Sequence, residues 1–109
     1  RNDNYLLVTG NVRVEQADML LTGDQVEYFT ELEKMIGSGN LKVTTDDAVV
    51  WADQMIYLRT EDKVDFLQNV TVEVSDAKLY GEHFVMLRAE EMMEFIGPFK
   101  GEFRRNEAE

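Results

Sequence analysis

Three stretches decide the fold: Gly10-Asn11-Val12-Arg13-Val14, Gly39-Asn40-Leu41-Lys42-Val43 and Gln68-Asn69-Val70-Thr71-Val72 stand 29 residues apart without a gap. Outward from each asparagine the register holds. Asp18, Asp47 and Asp76 coincide, then Leu21, Val50 and Leu79, then Gly23, Ala52 and Gly81, then Asp24, Asp53 and Glu82. Fixed-period similarity of this kind marks one supersecondary unit stacked on copies of itself.

Around each asparagine, apolar and polar residues alternate with period two, as in a strand with one buried face. Four such strands align, with inward positions at Leu6, Val8, Gly10 and Val12; Met35, Gly37, Gly39 and Leu41; Val64, Phe66, Gln68 and Val70; and Met93, Phe95, Gly97 and Phe99. The glycine at the third position, replaced once by Gln68, permits a bend or a close backbone approach. Hairpin partners are expected over 19–29, 48–58 and 77–88. In these the apolar phase shifts, because Leu21, Val50 and Leu79 lie an odd number of residues from Val26, Met55 and Phe84. Either a bulge near Gly23, Ala52 and Gly81 restores one face, or both faces are partly covered.

The expectation is an all-β, single domain over residues 1–103 with about seven antiparallel strands, followed by a flexible tail at 104–109. A rolled sheet or open jelly roll, a sandwich and a β-helix all suit this pattern. Pro98, lacking an N–H, makes the last strand an edge strand. Helical spacing is weak everywhere except across Arg88 to Glu94, where the repeat dictates turn and strand instead.

Composition narrows the function. The chain has 109 residues, 44% of them hydrophobic, and 22 acidic against 11 basic side chains give a net charge of −11. Such a surface repels phosphate backbones, so nucleic acid is not an expected partner. The absence of cysteine excludes disulfides and thiol chemistry. No apolar run approaches the roughly 20 residues that span a bilayer, and the first residue, Arg1, is compatible with a removed signal peptide or anchor.

Catalytic candidates are few. His83, with Ser38 or Ser75, could in principle serve a hydrolase, yet it occupies the repeat slot of Gln25 and Gln54. Asp46-Asp47 and Glu90-Glu91 fall in turns, no calcium-loop spacing is present, and no phosphate-binding Gly-x-x-x-x-Gly-Lys occurs. No enzymatic activity and no cofactor are therefore expected. The concentrated apolar residues have two readings: a packed core, or a lengthwise groove in which flexible Met side chains accept acyl chains. Unpaired edges at both ends are templates for strand addition.

The succession Gly10-Asn11-Val12-Arg13-Val14, Leu21-Thr22-Gly23-Asp24-Gln25-Val26-Glu27-Tyr28, Gly39-Asn40-Leu41-Lys42-Val43 and Trp51-Ala52-Asp53-Gln54-Met55-Ile56-Tyr57 resembles the OstA-like domains of the lipopolysaccharide transport system. The resemblance runs from about Tyr5 to Phe103. It implies an open β-jelly roll in the Gram-negative periplasm, one segment of the bridge formed by LptA, LptC and the N-terminal domain of LptD. An inner-membrane tether outside this chain is compatible with it. By resemblance, the interior that would shield lipopolysaccharide acyl chains comprises Val12, Met35, Leu41, Tyr57, Phe66, Val70, Phe84, Met86, Phe95 and Phe99. The first and last strands would dock other Lpt-type domains, or a second copy, head to tail. Gln68 and the Leu79-Tyr80-Gly81-Glu82 phrase depart from the family pattern. The competing reading is a structural, β-helix-like repeat that self-assembles without lipid.

Overall fold

A computed structural model describes residues 5–16 and 18–103. They form one antiparallel sheet of eight strands: β1 (Tyr5–Gln16), β2 (Met19–Phe29), β3 (Lys34–Thr44), β4 (Val49–Leu58), β5 (Lys63–Val74), β6 (Ala77–Leu87), β7 (Met92–Phe95) and β8 (Phe99–Phe103). The order β1 to β7 is sequential, and β8 joins β7 as a second partner of the same strand, β6. The expected tail at 104–109 lies outside the described residues.

Each long strand is bent at its middle, and the bend has a local cause. Between Thr9 and Val12 on β1, two residues face the single Asp24 of β2; between Ser38 and Leu41 on β3, two face Asp53; between Leu67 and Val70 on β5, two face Glu82. These inserted pairs, Gly10-Asn11, Gly39-Asn40 and Gln68-Asn69, all have positive φ, from 47° to 84°. Glycine takes that conformation without steric cost and asparagine is the residue that best tolerates it after glycine. Gln68, at φ 70°, adopts it without either advantage. The bulge is thus present, with the extra residue in the Gly-Asn strands, opposite the acidic residue that follows Gly23, Ala52 and Gly81 on the hairpin partners. Gly10, Gly39 and Gln68 consequently form the bend and do not line the interior as their spacing suggested.

The bulge also resolves the phase shift. Val50, Ala52, Met55 and Tyr57 of β4 are all buried and join one core cluster with Leu21, Val26, Leu41, Val43, Val64, Phe66, Val70 and Val72. The two halves of every bent strand therefore face each other across a single interior, giving a curled, unclosed sheet. Among the described residues no polar side chain is buried. Charged groups cover the outer face, where Lys42 lies over the ring of Trp51.

Asparagine amides stitch the bend. Asn40 Nδ2 donates to Asp24 at 3.0 Å, and Asn69 Nδ2 donates to Asp53 at 2.6 Å. Along one rim the tight turns seat on one another: Arg59 N donates to the Glu33 carbonyl and Arg88 N to the Asp62 carbonyl, each at 2.9 Å.

The last aligned strand departs from expectation. It is split into β7 and β8 because the bulge slot holds Gly97-Pro98. Gly97 takes φ 85° as its repeat counterparts do, but proline is locked near −65° and cannot supply the second left-handed residue. Eight strands result where seven were expected.

Asn40→Val should lower the unfolding free energy by about 1–3 kcal/mol, because a β-branched side chain resists positive φ, and Asn40→Gly should cost less than half of that. Urea titrations check this; equal losses would show that the Asp24 bond, not the backbone angle, governs the bend.

Candidate functional site

Strand alternation brings most of the expected interior residues together. Val12, Leu41, Tyr57, Phe66, Val70, Phe84 and Met86 are buried in one cluster, and Met35 and Phe95 pack against it half-buried. Phe99 is the exception at 53% exposed. A Cβ built on Gly81, whose counterparts Gly23 and Ala52 are buried, would sit 3.2 Å from the Phe99 Cβ, so Phe99 is on the interior face. It stands uncovered because β8 is the last strand described on that side.

Four rings form a lane from the centre to that end. Phe66 and Phe84 have centroids 6.1 Å apart, Phe84 and Phe95 4.8 Å, and Phe95 and Phe99 4.9 Å with planes only 9° apart. Exposure rises along it, from 0% at Phe66 to 53% at Phe99. Offset and tilted aromatic contacts at these spacings stabilise a continuous apolar path.

The exposed large apolar side chains lie almost wholly on the end strands. Leu6, Leu7 and Val8 are on β1; Met92, Met93, Phe99 and Phe103 are on β7 and β8, with Ile96 between them. Leu6 and Val8, expected to point inward, are exposed because β1 pairs with β2 alone among the described strands. At the start of β1, Tyr5 packs against Phe29 with the rings tilted by 52° and donates its hydroxyl to Glu27 at 2.6 Å, which pushes the phenol ionisation above its ordinary value.

The open seam of the roll runs between the two sets of hairpin tips. Arg88 crosses it, placing one guanidinium nitrogen 2.8 Å from Asp18 and the other 3.6 Å from Asp62. Beside this bridge is a cavity of about 420 Å³ whose apolar lining is Met86, Leu87, Met92 and Met93. Sequence reasoning missed the bridge, since a contact between residues 70 apart leaves no mark in local patterning.

The hydrolase candidates are not assembled. His83 Nε2 lies 2.8 Å from Asp65 on the outer face, whereas Ser38 pairs across the sheet with Gln25 and Gln54, and Ser75 is in the exposed β5–β6 turn. Among the described residues no cluster of three metal-ligating side chains occurs and no helix is long and apolar enough to cross a membrane.

A curled, unclosed antiparallel sheet around an interior of aliphatic, aromatic and methionine side chains, with apolar groups uncovered at both edges, is an open β-jelly roll. Residues 1–92 match the LptA/(LptD N-terminal domain) LPS transport protein family. The chain belongs to that family. Among curated proteins none matches it.

Phe66→Ala should cost about 3–5 kcal/mol, as expected for a fully buried phenylalanine, while Phe99→Ala should cost under about 1 kcal/mol. Thermal or urea unfolding of the two variants checks the pair. Similar losses at both positions would contradict the graded lane.

Proposed function

We propose that this chain is a periplasmic lipopolysaccharide-binding transport module that shields acyl chains in its apolar interior and docks end to end with other Lpt-type domains. The observation that carries the reading is the aromatic lane, which runs from the core out to an uncovered end in a member of an LPS transport family. Each methylene moved from water into such a lane contributes about 0.8 kcal/mol, so several partly enclosed chains bind strongly without charged contacts. An acidic exterior would then remain in water beside the sugars. Family membership supports the periplasmic setting and a non-enzymatic role.

The mode of entry follows from packing. Phe66 and Val43 are fully buried, so a chain reaches the centre only when the two halves of the roll part. The Arg88 bridge spans the seam where they meet, and the methionine-lined cavity beside it is a first contact for an acyl chain. Methionine suits this place because its unbranched thioether reshapes around varied ligands. The same closed centre is what favours the second reading, a structural repeat with no lipid ligand.

Photoreactive side chains decide between them. Placed at Met93, Phe95 or Phe99, they are expected to capture lipopolysaccharide, with Phe66 and Val70 following once the roll opens; Arg13 and Lys42 on the exterior should capture none. Capture confined to exterior sites would sink the transport reading.

A further inference from the structure

We propose that β7 and β8 hold, within a single chain, a place on β6 that the first strand of a second copy takes over on assembly. The inference rests on the end-to-end docking reading and specifies its joint.

The direction of the strands sets the problem. Every pairing in the sheet is antiparallel, and β1, β3, β5 and the β7–β8 pair occupy the same place in the repeat. They therefore run the same way. If β1 of a second copy were added outside β8, the joint would be parallel, unlike every other ladder. If it replaced β7 and β8 on β6, the joint would be antiparallel and the 29-residue register would continue across two chains.

The present occupant fits that place poorly. Gly97-Pro98 interrupts it, so one continuous strand becomes two short ones: β7 pairs over Phe84 to Leu87, β8 over Ala77 to Gly81, and between them only Ile96 N reaches β6, at the His83 carbonyl. Glu82 fills the slot of Asp24 and Asp53, whose carboxylates accept an asparagine amide from the following strand. Proline at position 98 has no such donor. Most of the side chains of β7 and β8 are exposed, Phe103 to 72%. The family match also ends at residue 92, where β7 begins.

The strand that fits is β1. It carries Gly10-Asn11 with both residues already at positive φ, and Asn11 supplies the amide that Glu82 lacks from Pro98. Its exposed Leu6 and Val8 match the repeat places of Met35 and Gly37, and Val64 and Phe66, which neighbouring strands cover in the chain interior. Displacement would free the short strands, cover Leu6 and Val8 in the second copy and set them in the repeat places of Met93 and Phe95, so the apolar lane continues across the joint.

The register predicts a cross-link. Thr44 of β3 lies opposite Leu20 of β2, and the repeat converts that pair into Glu15 of one copy opposite Lys78 of another. Within one chain Glu15 faces Leu20 and Lys78 faces Glu73 and Glu102. The chain has no cysteine, so the double variant Glu15→Cys, Lys78→Cys reports this joint alone, at the spacing a disulfide requires. Mild oxidation across a concentration series should give covalent dimers and longer ladders. Adding Pro98→Asn, which restores the Gly-Asn phrase to the resident strand, should lower the yield roughly tenfold, the effect of one relieved backbone conflict and one gained hydrogen bond. Head-to-tail assembly by sedimentation without the cross-link, or an unchanged yield in the Pro98→Asn background, overturns the displacement and leaves docking intact. A chain that stays monomeric throughout overturns both.

Discussion

Two consecutive left-handed residues in the middle of a strand are the constraint on which this molecule depends. An L-residue resists that conformation, and two in a row occur only where the surroundings compensate. Here Gly-Asn reduces the steric conflict and the asparagine amide binds the carboxylate on the preceding strand. The insertion bends each strand of about a dozen residues so that its two arms face one another. Without the bend, the apolar residues on either side of the shift would belong to opposite faces of a flat sheet. With it, Leu21 and Val26, or Val50 and Met55, share one interior.

Much of this is legible in the chain because a repeat reads itself several times over. Alternation defines the strands, and the odd spacing from Val50 to Met55 leaves two outcomes, a bulge or partial cover on both faces, of which the fold takes the first. The side of the bulge is not legible in the same way: glycine at Gly23 and Gly81 suggests the hairpin partners, yet the backbone inserts its extra residue at Gly10-Asn11 and its copies. Spacing alone cannot separate a glycine that turns from one that makes room for Leu41, as Gly23 does. Most of the interior residues were identifiable from the same alternation. Burial at the ends was not, because Phe99 and Leu6 occupy inward places with no further strand beside them among the described residues. Arg88 and Asp18 meet only through the curl of the whole sheet.

Charge and apolarity are separated by face. Acidic residues occupy the outer surface and the turns, and the described interior contains no buried polar side chain. Affinity for a hydrocarbon ligand can therefore come from area alone, while repulsion between acidic exteriors discourages sideways clumping. What remains attractive is concentrated at the two edges, where, among the described residues, strands without an outer neighbour and uncovered side chains coincide.

The rim turns give the architecture a ruler. Arg59 N rests on the Glu33 carbonyl and Arg88 N on the Asp62 carbonyl, and each turn closes with a left-handed acidic residue at Glu33, Asp62 and Glu91. One unit thus carries both the socket for the next and the plug for the one before. Each unit adds two strands, about 10 Å at the usual strand spacing. Duplication of a single 29-residue segment would lengthen the roll by that step while leaving its cross-section unchanged, so the length of the roll is set by copy number and the width of its interior by the side chains of one repeat.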